Sequence, residues 1–171
     1  MTSTFKTCAL LLGAASVFAY AWLAGSSHEL APFARVPALP GNTTPAMAAH
    51  FASSDLEDFV HSASITDLPG GDLMAVWFAG TREGAADVQI RAARFDAASG
   101  QWSGERVLAT REATQRAVGK HIRKLGNPVI SLAPDNRLWL FYVSVSLGGW
   151  AGSAVNAMVS DDFGATWSAP R

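Results

Sequence analysis

Past residue 55, apolar positions come in short runs of four to eight residues, alternating or continuous, and each run ends at Pro, Gly, Asp or Asn. No sustained helical period crosses this region, so the pattern predicts strands joined by tight turns. The pattern also repeats. "SITDLPGGDLMAVWFA" from Ser64 aligns with "VISLAPDNRLWLFYVS" from Val129, with Ile65 on Ile130, Pro69 on Pro134 and Leu73 on Leu138. The same step of 65 residues carries Asp96 onto Asp161 and Trp102 onto Trp167, so "RFDAASGQW" is a degenerate copy of "SDDFGATW". Self-similarity at a fixed period marks a repeat architecture.

Each unit reads as a blade. The first predicts strands at His61–Thr66, Leu73–Ala79, Val88–Phe95 and Gly104–Leu108, with turns at "LPGGD" and "DAASG". The second predicts strands at Pro128–Leu132, Leu138–Val145 and Ala154–Val159, and lacks the fourth. Four antiparallel strands per unit with one aspartate turn each is the signature of a β-propeller blade, so the expected class is all-β, with about two blades of a partial propeller. The period is long for a blade, and "ATREATQRAVGKHIRKL" between the units takes up the excess. That stretch has room for a short helix, but Gly119 and Gly126 predict a mostly loop-like connection.

The best-formed turn is Ser160-x-Asp162-x-Gly164-x-Thr166-Trp167. Asp162 can accept from backbone N–H groups of its own turn, Gly164 permits positive φ, Ser160 and Thr166 add hydroxyls, and Trp167 packs back on the sheet. These residues read as a staple for the fold rather than as catalysts.

The N-terminal pattern is different. "TCALLLGAASVFAYAWLAG" from Thr7 is an uncharged run behind a short segment with one lysine, so residues 1–25 read as a signal peptide or a single membrane anchor. Export to the periplasm or cell exterior, or anchoring with the chain facing outward, follows. Residues 26–54, rich in Ala and Pro, read as a linker, and 55–171 as the N-terminal part of an incomplete propeller. Composition adds exclusions. A net charge of −1 provides no field to gather nucleic acid. The single cysteine, Cys8, leaves no disulfide framework and no thiolate zinc site. Nothing in the pattern calls for a metal or another cofactor.

With the aspartate turn and its degenerate twin in view, the chain resembles the sialidase (neuraminidase) superfamily of six-bladed propellers. It looks most like the bacterial predicted-neuraminidase group with BNR repeats, over about Phe59 to Arg171. "HSASITDLPGGDLMAVWFAGTREGAADVQI" and "LGNPVISLAPDNRLWLFYVSVSLGGWAGSAVN" carry the likeness. Blade geometry puts His61, the loop "GTREGAAD", the connector residues Arg123, Lys124 and Asn127, and "SLGGWAG" on one rim, opposite the aspartate turns. In the family that rim is the active site. The resemblance implies a glycoside hydrolase of exo-alpha-sialidase type, removing terminal sugars from a glycan or oligosaccharide substrate. Asp87 matches the family's general acid and Arg82 the arginine preceding it. An arginine fork suits an anionic sugar because two parallel N–H bonds fix a carboxylate's orientation. Glu83, Asn127 and Trp150 join Arg82 as candidate substrate contacts, Trp150 by stacking on a pyranose face.

One departure limits the likeness. The family opens its first blade with Phe-Arg-Ile-Pro, whereas this chain has "VHSAS", with His61 in place of the arginine that grips sialic acid. His61 is then a sugar-bonding group or a general base. The rival readings are a propeller polysaccharide lyase acting on uronates and a non-catalytic carbohydrate-binding propeller. The competing reading of Asp87 and Arg82 is a turn cap and a partner for Glu83. The family's nucleophile and remaining arginines belong to later blades, so the expected fragment is inactive alone.

Overall fold

The computed structural model describes residues 2–25, 47, 49–53 and 59–171, in two compact units, Met1–Ala46 and Met47–Arg171. Most of the expected linker lies outside the described residues. In the first unit, α1 (Thr2–Gly25) carries no charged residue over Thr7–Ala24, where no side chain is buried and the mean hydropathy is 1.7. At 1.5 Å per residue its length is roughly 36 Å, enough to cross a hydrocarbon layer of about 30 Å. A signal sequence near an N-terminus has the same length and composition.

The second unit holds two antiparallel sheets. One runs β1 (Phe59–Asp67), β2 (Leu73–Gly80), β3 (Gln89–Asp96), with β4 (Gln101–Trp102) and β5 (Arg106–Ala109) both on the outer edge of β3. The helix α2 (Arg111–Val118) follows, and then β6 (Lys124–Leu132), β7 (Leu138–Val145) and β8 (Ser153–Ser160) in sequential order. Strands alternate two faces, so β2 sends Met74, Val76 and Phe78 to one side, where they join Leu138, Leu140 and Tyr142 of β7 in a single buried cluster. Its other side, with Ala75, Trp77 and Ala79, packs with Ala93, Trp102 and Ala52. Polar bonds also tie the sheets: the Ser64 and Thr66 hydroxyls accept from Ile130 N–H and Leu132 N–H at 3.1 and 3.3 Å.

The 65-residue step holds at the level of individual bonds. Ser103 N–H donates to Arg94 O at 2.7 Å and Ser168 N–H to Val159 O at 2.8 Å. The Ser103 hydroxyl accepts from Arg94 N–H, and the Ser168 hydroxyl from Val159 N–H, both at 3.0 Å. Arg106 pairs with Ala92 in the first sheet, and Arg171 exchanges two backbone bonds with Ala157 in the second. Even the irregularities repeat. β1 carries a bulge between His61 and Ser64 with Ser62 at φ 57°, and β6 carries one between Gly126 and Val129 with Asn127 at φ 47°.

The connector corrects the sequence expectation of a loop. Residues 111–118 form a helix whose cap, Thr110, accepts from Ala113 N–H at 3.1 Å, and Gly119 ends it at φ 66° with its N–H on Gln115 O. Gly119 is a helix stop rather than a breaker, and Gly126 lies inside β6 at the bulge. The fourth strand of the first unit is also divided: β4 is a separate two-residue pairing ahead of β5, which starts at Arg106 rather than Gly104.

Candidate functional site

The loop joining β2 to β3 turns sharply because Gly84 adopts φ 74° and Ala85 N–H bonds back to Arg82 O at 3.1 Å. Its partner in the second unit, between β7 and β8, holds Gly149 at φ 64°. Between these loops and the connector lies a cleft of ≈ 450 Å³. Arg82 enters it from the first loop, Arg111 from the start of α2, His121 and Arg123 from the connector, and Lys124 from the start of β6. No acidic side chain among the described residues lines it. A shallower depression continues past Gly84 and Lys124 to Glu83, Gly126 and Asn127.

The connector is placed by directed bonds. The buried Thr114 hydroxyl donates to Thr110 O at 2.9 Å, so at the 2.8 Å contact with Tyr142 the phenol is the donor. Burial pushes the Tyr142 phenol up, partly offset by Thr114, which keeps it protonated for that role. Gln115 Oε1 accepts from Ile122 N–H at 3.1 Å, and Arg123 N–H donates to Val145 O at 2.8 Å. The chain leaving α2 is thereby turned back, carrying His121 and Arg123 to the cleft.

The residues singled out in the sequence fall in three places. Arg82 and Glu83 sit on the cleft loop, and Asn127 on the adjoining depression at the β6 bulge. His61 Nδ1 lies 3.8 Å from Glu83 Oε2, both side chains more than half exposed, and the imidazole stands edge-on to Phe59 and Phe78. Glu83 thus faces His61 rather than Arg82. Asp87 lines neither hollow: the Thr81 N–H and hydroxyl each donate to its carboxylate at 3.2 Å. The Thr81 backbone bond, with further help from its hydroxyl and from Arg82, holds Asp87 below its ordinary value despite some desolvation, so it is an anion at neutral pH. Trp150 lies in the short 3-10 segment Gly149–Gly152, and its side chain is outside the described residues.

The aspartate turn stands apart, around Ser160–Trp167. The Thr166 N–H and hydroxyl donate to the two Asp162 oxygens at 2.8 and 2.6 Å, the Ser160 hydroxyl donates to Oδ1 at 2.7 Å, and Gly164 N–H donates to Ser160 Oγ at 2.7 Å. These bonds lower Asp162 to about 2. Gly164 sits at φ 90°, and a Cβ there would lie 2.6 Å from Met74 Cε in the first sheet. Arg106 Nη1 donates to Ala165 O at 3.3 Å, so the turn also ties the two sheets together.

Arg111 and His121 were not among the residues picked from the sequence. Thr110 ahead of a polar run and Gly119 behind it were the available helix signals. They are hard to read because α2 is only eight residues long and mostly polar, and its one fully buried side chain is Thr114.

Two packed antiparallel units that repeat bond for bond define a propeller-type repeat protein. A family model described as "BNR repeat-like domain" matches residues 71–171, and the chain belongs to that family. Among solved structures, a Hadza microbial sialidase, Hz136, is similar with a TM-score of 0.53 and 14% identity, over 66% of this chain and 25% of that one. A protein of unknown function from Dyadobacter fermentans is similar with a TM-score of 0.53 and 9% identity, over 70% of this chain and 37% of that one. At such identities the likeness is one of fold, and this chain spans well under half the length of either. No curated protein matches the chain.

Proposed function

We propose that the protein is an exported, sialidase-like glycoside hydrolase that removes terminal acidic sugars from glycans. The observation that carries this reading is the cationic cleft assembled from two successive repeat units at the loop that bears Asp87. The BNR repeat and the sialidase-like fold support it without fixing an activity. The apolar N-terminal helix supports export.

In this reading Arg82 orients the anionic group of the sugar and Asp87 donates a proton to the leaving oxygen. A general acid needs a raised pKa, and the Thr81 bonds act the other way. A sugar seated against the loop supplies the missing factor by desolvating the carboxyl. The His61–Glu83 pair sits at the edge of the same rim, where His61 is the candidate proton carrier or sugar-bonding group.

Asp87→Asn tests the assignment in the intact protein, assayed on fluorogenic sialosides and uronides. The expected loss in kcat is about 10²-fold or more, the scale of general acid catalysis. Turnover within about threefold of the parent, with glycan binding retained, is too small for that step and would leave a non-catalytic carbohydrate-binding propeller. The His61–Glu83 pair also suits a lyase, and products absorbing in the ultraviolet that vanish with His61→Ala would identify one.

A further inference from the structure

We infer that the connector between the two repeat units builds a second anion subsite, so that the preferred ligand is an oligosaccharide with acidic groups on more than one sugar. This deepens the reading of the rim given above and rests on it. The full chain has nearly equal numbers of basic and acidic residues, with a net charge of −1, yet among the described residues the cleft gathers three arginines, a lysine and a histidine and no acid. Like charges repel, and Glu112 on Arg111 and Asp87 near Arg82 offset only part of this charge, so an anion in the cleft would be favoured.

The arginines also have capacity to spare. Arg82 and Arg123 have no hydrogen-bonded acidic partner among the described residues. Arg111 bonds Glu112 Oε1 through Nε and Nη2 at 3.0 and 2.6 Å, which leaves Nη1 unengaged among the described residues. One guanidinium fork can orient a carboxylate through both oxygens, and Arg82 can supply that fork. Arg111 and Arg123 come from another segment, held by the Thr110 cap, the Thr114–Tyr142 bond, the Gln115–Ile122 bond and the Arg123–Val145 bond. A stretch of solvated cations has no need of such anchoring. At ≈ 450 Å³ the cleft falls in the range of small-ligand sites, about 300–1,000 Å³, and so has room beyond one charged group.

Binding, rather than turnover, tests this. The intact protein is titrated calorimetrically with a sulfated tetrasaccharide, an oligogalacturonate of the same length, a neutral tetrasaccharide and a monomeric uronate. The acidic tetrasaccharides are expected to bind at least about tenfold tighter than the neutral one and than the monomer, a gap of about 1.4 kcal/mol. The sulfated and uronate arms separate the two sources of charge. Arg111→Ala and Arg123→Ala each lower the acidic tetrasaccharide affinity by about tenfold and weaken its salt dependence. Arg111→Lys restores most of the loss, which separates charge from damage to the helix start. Arg137→Ala, at the far aspartate-turn end, leaves affinity unchanged.

Equal affinity for neutral and acidic tetrasaccharides would overturn the inference, as would equal losses at Arg137 and Arg111. Equal affinity for the uronate monomer and the acidic tetrasaccharide would remove the second subsite. Failure of the hydrolase reading shows separately: acidic oligosaccharides would bind in this way while no glycoside is turned over.

Discussion

At the scale of the residue, one motif contains two different uses of aspartate. Asp162 has its carboxylate oxygens filled by its own turn, while its degenerate counterpart at the 65-residue step, Ala97, has no carboxylate at all. Asp72 replaces it from another turn, accepting from Ala97 N–H at 3.0 Å and pairing with Arg94 at 2.6 Å. The pairing of sequence and role was readable for Asp162, because all its partners lie within four residues. It was not readable for Asp72, whose partners lie more than twenty residues away. Asp162 also fixes a pH dependence. Its folded value of about 2 lies below the ordinary 3.8, so its contribution is present above the ordinary value and is lost as pH falls through the folded one. Urea denaturation from pH 5 down to pH 2 should show a declining midpoint, with a shallower decline in Asp162→Asn. Identical slopes would remove the turn as the source.

At the scale of the element, β7 and β8 fell within about one residue of their expected bounds, since their alternation and flanking turns are local signals. The helix α2 did not, because eight mostly polar residues span little more than two turns, too short a run for its period to stand out. Its position depends on one buried pair. Thr114→Val strands the Tyr142 phenol without an acceptor, at a cost of about 1–3 kcal/mol, whereas Tyr142→Phe leaves Thr114 bonded to Thr110 O and costs about 1 kcal/mol. Equilibrium urea unfolding of the two variants and the double variant checks the order. A larger loss from Tyr142→Phe would show that the phenol packs the helix by shape rather than by its hydroxyl.

At the scale of the whole molecule, strand alternation places equivalent side chains in different surroundings. Met74, Val76 and Phe78 of β2 are buried against β7, but the same step brings them onto Trp139, Phe141 and Val143, which lie on the opposite face of β7 from the shared core. Trp139 and Phe141 stack there at 5.6 Å with an 8° tilt, and Phe141 is 36% exposed while Leu140 is fully buried. Leu140→Ala should therefore cost about 2–5 kcal/mol, the range for an interior truncation. Phe141→Thr should stay within about 1 kcal/mol, as at other exposed sites, when both are measured by urea denaturation. Equal costs would mean that both faces of β7 are covered in solution. Hydropathy could not make that distinction, since both residues are apolar members of one strand. By itself the sequence determined what depends on near neighbours: strand alternation, the Ser160–Trp167 staple, the repeat step and the apolar N-terminal helix. Only the tertiary structure decided which face of each strand is buried, that Asp87 is bound to Thr81, and that Arg82, Arg111 and Arg123 share one cleft. The Thr81–Asp87 bond closes a single loop whose shape no propensity records, and the other features join segments far apart along the chain through packing and directed bonds.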